Sequence, residues 1–144
     1  MMKIKLFICC LCIMFLVGCR STTLTCKKTV LDDDSIKINE TISFVFKRHQ
    51  LTKIIASTSY QYKSDVENNS NILKEALNSK YEVYKKSKGV KAHNSKESYG
   101  IYLELTLNIG KLTDEEKNDF DWLTENKEFE IIHKSLEKEG YSCR

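Results

Sequence analysis

IYLELTLNI, residues 101–109, decides the fold class. Ile101, Leu103, Leu105, Leu107 and Ile109 alternate with Tyr102, Glu104, Thr106 and Asn108. Successive side chains of a strand point to opposite faces, so this segment is a strand with one apolar and one polar face. A strand covered on both sides, as in a parallel sheet, reads as a continuous apolar run; alternation belongs to an antiparallel sheet with one wet face. The apolar face then needs a cover, which amphipathic helices can supply.

The neighbouring segments fit such a sheet. Ile36, Ile38, Ile42, Phe44 and Phe46 occupy even positions with polar residues between them, and Glu40 alone breaks the pattern. The polar KRHQ, residues 47–50, turns the chain, after which LTKIIASTSYQYK at 51–63 resumes with β-branched and aromatic residues, predicting a hairpin. LTCKKTV at 24–30 has strand composition and precedes the turn-prone LDDDS at 31–35. Ile72, Leu73, Ala76, Leu77, Tyr81 and Tyr84 recur at helical spacing, predicting a helix from about residue 67 with Gly89 as its stop. GVKAHNSKES, residues 89–98, reads as a short strand and turn. Thr113 and Glu116 make a capping box for a short helix through Leu123, with Phe120 and Trp122 as its other apolar content. In EFEIIHKSLEKEGYSC at 128–143, Phe129, Ile132 and Leu136 share one side of a last helix that Gly140 ends. The order predicts an α+β fold: an antiparallel sheet of about four to five strands with helices packed on one face.

The chain begins MMKIKLFICCLCIMFLVGC. Lys3 and Lys5 precede an unbroken apolar run from Leu6 to Val17, which is too short to span a bilayer and has the form of a secretory signal. LVGC at 16–19 has the pattern of a lipobox: a leucine three places before the cysteine and a small residue just before it. A thiolate is the side-chain nucleophile best suited to accept a diacylglyceryl group, so Cys19 is the expected site of lipid attachment. The expected division is a signal peptide at 1–18, a lipid-anchored tether at 19–25 reaching about 20 Å when extended, and a single domain at 26–144. The protein is accordingly expected to be extracytoplasmic, anchored to the cell membrane, or to the outer membrane where the host has two.

Cleavage there removes two lysines and no acid, lowering the net charge from +3 to +1. So small an excess argues against nucleic acid as a partner. With Cys19 lipidated and Cys9, Cys10 and Cys12 lost with the signal, Cys26 and Cys143 remain, in a compartment where disulfides persist. Their pairing is expected; two unrelated thiols are the alternative, and a metal site is disfavoured because neither belongs to a CxxC pair.

Sequence motifs of catalysis are missing. His49, His93 and His133 have no spacing that brings two onto one helix face, and GxSxG, P-loop and GxGxxG patterns do not occur. Asp32, Asp33 and Asp34 lack the spacers and glycine of a Ca²⁺ loop and read as a solvated turn. No catalytic residue, metal or cofactor is expected. Of the tyrosines that could line a groove, Tyr102 is singled out as ligand-facing, because it lies on the polar face of the clearest strand.

From LVGC at 16–19, through ETISFVFKRHQLTKIIASTSYQYKS at 40–64 and GVKAHNSKESYGIYLELTLNIGKL at 89–112, to EKEGY at 137–141, the chain resembles the YehR-like group of small, functionally uncharacterised bacterial lipoproteins. The resemblance implies an α+β fold and membrane anchoring, and carries no activity or active-site residues. A Cys26–Cys143 pairing would belong to only some such proteins. The expected function is a non-enzymatic binding module for a small molecule, peptide or protein, held to a membrane through Cys19. An envelope enzyme without a recognisable motif, or a structural or regulatory surface lipoprotein, is the alternative.

Overall fold

A computed structural model describes residues 21–120 and 128–144. The expectations for the signal segment and Cys19, and for Trp122 and Leu123, lie outside the described residues. Within them the chain runs β1 (Ser21–Asp32), β2 (Ile36–Lys47), β3 (Gln50–Tyr62), α1 (Val66–Tyr81), a 3-10 turn (Glu82–Tyr84), β4 (Val90–Glu97), β5 (Gly100–Asn108), a second 3-10 turn (Ile109–Lys111), α2 (Asp114–Asp119), α3 (Phe129–Lys138) and β6 (Ser142–Cys143). The fold is α+β, with one antiparallel sheet ordered β4-β5-β3-β2-β1-β6.

The sheet has six strands, not four to five. The additional one, β6, is two residues long and pairs Cys26 with Cys143 and Lys27 with Ser142. So short a strand has no alternation to read; it exists because Thr25 and Arg144 exchange backbone hydrogen bonds of 3.0 and 2.9 Å and because a disulfide joins Cys26 to Cys143. β1 also starts earlier than expected. Ser21 pairs with Lys47, so residues 21–25, expected as tether, belong to the sheet.

Register puts the apolar residues on one face. Phe44 lies opposite Leu24 on β1 and Ile54 on β3, and Ile54 lies opposite Leu107 on β5; all four are buried. α3 covers the β1–β2 side of this face with Ile132 and Leu136, and Phe129 meets Phe46 at 5.4 Å between ring centroids. α1 covers a second apolar group farther along β5, packing Leu77 against Ile101 and Leu103. α1 ends at Tyr81 and does not continue to Gly89. The chain tightens there into the 3-10 turn, which carries Tyr84 to Asp119 and Phe120. Gly89 serves a close approach instead, since a Cβ there would stand 2.8 Å from the backbone of Leu112.

The capping box of α2 is present: Thr113 Oγ1 accepts from Glu116 N–H at 3.2 Å, and the Glu116 carboxylate accepts from Thr113 N–H at 2.8 Å. Gly140, at φ 89°, ends α3. The N–H of Tyr141 then donates to Leu136 O at 3.0 Å, a closure that sends the Tyr141 ring back over the sheet. The acidic turn at 32–34 is held as expected of a solvated turn: Asp33 accepts from the N–H groups of Ser35 and Ile36, while Asp32 pairs with Lys37 and Lys63.

Candidate functional site

Among the described residues the helices leave a groove across the middle of the sheet. α3 sits on the β1–β2 side and α1 on β5, and where they diverge the sheet presents Ala56, the smallest side chain in the central part of β3. On one side of Ala56 is a cavity of about 390 Å³, bounded by Ile42, Thr58, Leu136, Glu139, Tyr141 and Glu40. On the other is a cavity of about 340 Å³, bounded by Tyr81, Tyr84, Leu105, Leu107, Phe120 and Asp119. Because Ala56 lines both, the two form one trough with an apolar floor.

Each side carries a phenol bonded to a carboxylate. Tyr141 Oη donates to Glu40 Oε2 at 2.6 Å, and Tyr84 Oη donates to Asp119 Oδ2 at 2.8 Å. Burial, then the hydrogen bond to the carboxylate, raises both phenol pKa values; that of Tyr84 is pushed up to about 12. Both phenols are therefore neutral at physiological pH, which suits hydrogen bonding and not nucleophilic attack. Lys28 stands near the Tyr141 side, its ammonium 5.3 Å from the ring centroid and donating to Glu139 O at 2.6 Å.

The sign of the Tyr84 effect is testable. Its folded-state pKa lies above the ordinary tyrosine value of 10.0, so its contribution to stability is complete below pH 10 and is lost as pH rises toward about 12. Urea unfolding at stepped pH is expected to show a steeper alkaline loss for the wild type than for Tyr84→Phe; equal slopes would exclude the coupling.

Tyr102 lies elsewhere. It pairs with Ser59 and Ser95 on the sheet face opposite the helices, half-buried, and donates to Glu104 Oε2 at 3.2 Å. That face is rich in hydroxyls, with Thr25 and Ser43 bonded at 3.1 Å, and Tyr102 lines neither cavity of the trough. Of the residues that do line the trough, Tyr81 and Tyr84 belong with Tyr60, Tyr62, Tyr99 and Tyr102 to the tyrosines that the sequence offers for a groove, while the others carry no such mark. Ala56 reads as an unremarkable strand position, and Glu40, the one break in the β2 alternation, was the available signal: a charged residue on the apolar face needs a partner or a groove.

Cys26 and Cys143 are joined at the β1–β6 edge. Among the described residues no group of three or more His, Cys, Asp or Glu side chains is arranged to hold a metal, and no helix is long and apolar enough to cross a membrane.

No protein-family model matches the chain, and no curated protein matches it. Its fold is similar to that of a protein from Streptococcus pneumoniae TIGR4 solved by NMR, with a TM-score of 0.57 at 12% identity over 87% of this chain and 86% of that one. At that identity the likeness concerns the fold alone.

Proposed function

We propose that the chain is the precursor of an extracytoplasmic lipoprotein, anchored through lipid on Cys19, whose domain is a non-enzymatic binding module. The anchor rests on the basic start, the apolar run and LVGC at 16–19, and on the resemblance to YehR-like lipoproteins. The bridge between Cys26 and Cys143 suits an oxidising compartment. In a host with two membranes the outer one is the proposed location.

The observation that carries the binding role is the trough over Ala56. Its apolar floor is flanked by two phenol–carboxylate pairs, an arrangement for a small amphipathic molecule with an apolar body and polar ends. Burial and the carboxylate hydrogen bond raise both phenol pKa values, so neither side chain stands as a phenolate nucleophile near neutral pH, which favours binding over an envelope enzyme. A neutral fluorescent probe, N-phenyl-1-naphthylamine, tests the site. Saturable fluorescence enhancement is expected for the wild type and for Tyr102→Ala, and a loss of about tenfold or more in affinity for Ala56→Phe, whose ring would occupy the joint of the trough. Equal binding by Ala56→Phe and wild type would remove the trough from consideration.

A further inference from the structure

Although the mature chain is nearly neutral, its positive charge is unevenly placed. The β1 residue nearest Cys19, Ser21, pairs with Lys47 at the end of β2. The β2–β3 turn, the start of β3, the end of β5 and the start of β4 all lie at this same end of the sheet, because Lys47 pairs with Gln50, Lys53 with Asn108 and Lys91 with Thr106. Lys47, Arg48, Lys53, Lys88, Lys91 and Lys111 are thereby gathered from separate stretches of sequence onto one end. Lys88, Lys91 and Lys111 line one shallow depression together with Ser87. Among the described residues the five lysines of this group make no ion pair, in contrast to Lys37 and Lys63, which pair with Asp32 at the opposite end. Among the described residues the carboxylates nearest this end lie on the helix side: Glu115, Glu116 and Asp119 share a depression with Lys88 and Lys111, and the contact of Phe129 with Phe46 brings Glu128 and Glu130 near Lys47, so the positive surface is the tip and its helix-free margin.

The β2–β3 turn adds a second sign. Arg48 and His49 both have positive φ, 51° and 65°, in the two-residue hairpin position where Asn-Gly is the conformationally easy choice. The chain holds a cation at the tip despite that preference.

We infer that this basic end is a docking surface for the anionic phospholipid headgroups of the membrane that holds the anchor. The inference rests on the proposed lipidation of Cys19 and goes beyond it. Cys19 precedes the strand by two residues, at most about 7 Å of extended chain, less than a Debye length at physiological salt. The lipid would thus hold Lys47, on the strand next to β1, inside the surface potential of the bilayer, and a domain standing on this end would bring Lys53, Lys91 and Lys111, farther across the sheet, down to the same surface. A zwitterionic surface would leave the domain free to pivot, whereas an anionic one would stand it on this end, with the trough to one side and the Asp32–Asp34 turn farthest away.

The test uses the lipidated protein extracted from membranes and reconstituted into vesicles of phosphatidylcholine alone or with about 30% phosphatidylglycerol. Lysine acetylation is followed site by site by mass spectrometry, and intact mass of the same preparation reports the lipid. Acetylation of Lys88, Lys91 and Lys111 is expected to fall severalfold on anionic vesicles and to recover at about 0.5 M salt, with Lys37 and Lys63 unchanged. Equal acetylation on both surfaces would overturn the docking even where the mass confirms the lipid. Should the mass show no lipid, the same protein is added to preformed vesicles. Co-sedimentation with anionic vesicles only, weakened about fivefold for each of Lys53, Lys91 and Lys111 changed to Gln, would uphold the docking without the anchor; co-sedimentation with neither would overturn it. Binding to a single-stranded oligonucleotide as tight as to anionic vesicles would overturn the lipid assignment.

Discussion

Replacing Cys26 and Cys143 together by alanine is expected to lower the unfolding free energy by about 4–5 kcal/mol. The bridge spans a sequence separation of 117, so it closes nearly the whole domain into one loop of the unfolded chain. Chain-entropy stabilisation grows with loop length, which places this bridge toward the upper end of the range for a single disulfide. Alanine is the informative replacement because Cys26 is fully buried, and serine would add the separate cost of an unpaired hydroxyl. Denaturant unfolding checks it: the midpoint should fall for the double variant and for the reduced wild type alike. A change below about 1 kcal/mol would mean that the backbone bonds between Thr25 and Arg144 already hold β6 in place. Were that so, the bridge would matter for resisting opening at the sheet edge and hardly at all for global stability. The distinction bears on the proposed anchor, because β1 carries the bridge and is preceded in sequence by Cys19.

How far the fold is legible in the sequence follows from where its physical causes sit. β2 and β5 are legible because alternation is a local record of a two-sided environment, β3 because its residues are rich in β-branched and aromatic side chains, and the Thr113–Glu116 box because its partners are three residues apart. β6 is not legible, since two residues carry no period and its pairing is fixed by a cysteine far away in the chain. The early start of β1 is hidden for another reason: Ser21, Thr22 and Thr23 are exposed, so nothing apolar marks them as strand. The end of α1 at Tyr81 is followed at once by the 3-10 turn whose Tyr84 bonds Asp119, a contact between residues 35 apart that no local pattern announces.

The site is less legible still. The trough requires knowing that α1 and α3 cover different sides of the sheet, and its Tyr141–Glu40 bond joins residues 101 apart. Exposure on the polar face of a strand points to Tyr102, which does lie on that face. The more concave surface is on the other side. The basic end escapes a linear reading in the same way, because a net charge averages over the chain while the register gathers lysines from separate segments.

Phe44→Ala is expected to cost about 3–5 kcal/mol, and its comparison with Ala56→Phe separates core from groove on one sheet face. Phe44 is 2% exposed, with Leu24 and Ile54 opposite it on the neighbouring strands. Removing its ring deletes the transfer free energy of a large apolar group and leaves a void that strands paired on both sides cannot close. Ala56 lies two places along β3 from Ile54, opposite Ile42 and Leu105, and it is only half-buried, at the margin of the core that Leu136 of α3 completes. A phenyl group added there can turn into the space that both cavities leave beside Ala56, so its effect on stability should stay within about 1 kcal/mol of wild type. Urea unfolding of the two variants and the wild type makes the comparison, with naphthylamine binding as the second readout. A Phe44→Ala variant that keeps its stability would show that α3 is not seated on β1 and β2 as described. An Ala56→Phe variant as damaged as Phe44→Ala would show that the space over Ala56 is filled in solution, and the binding role would lose its site. Stability kept and binding lost is the pattern that a working groove requires, because only an open surface can accept a ring at no cost to the fold and at full cost to the ligand.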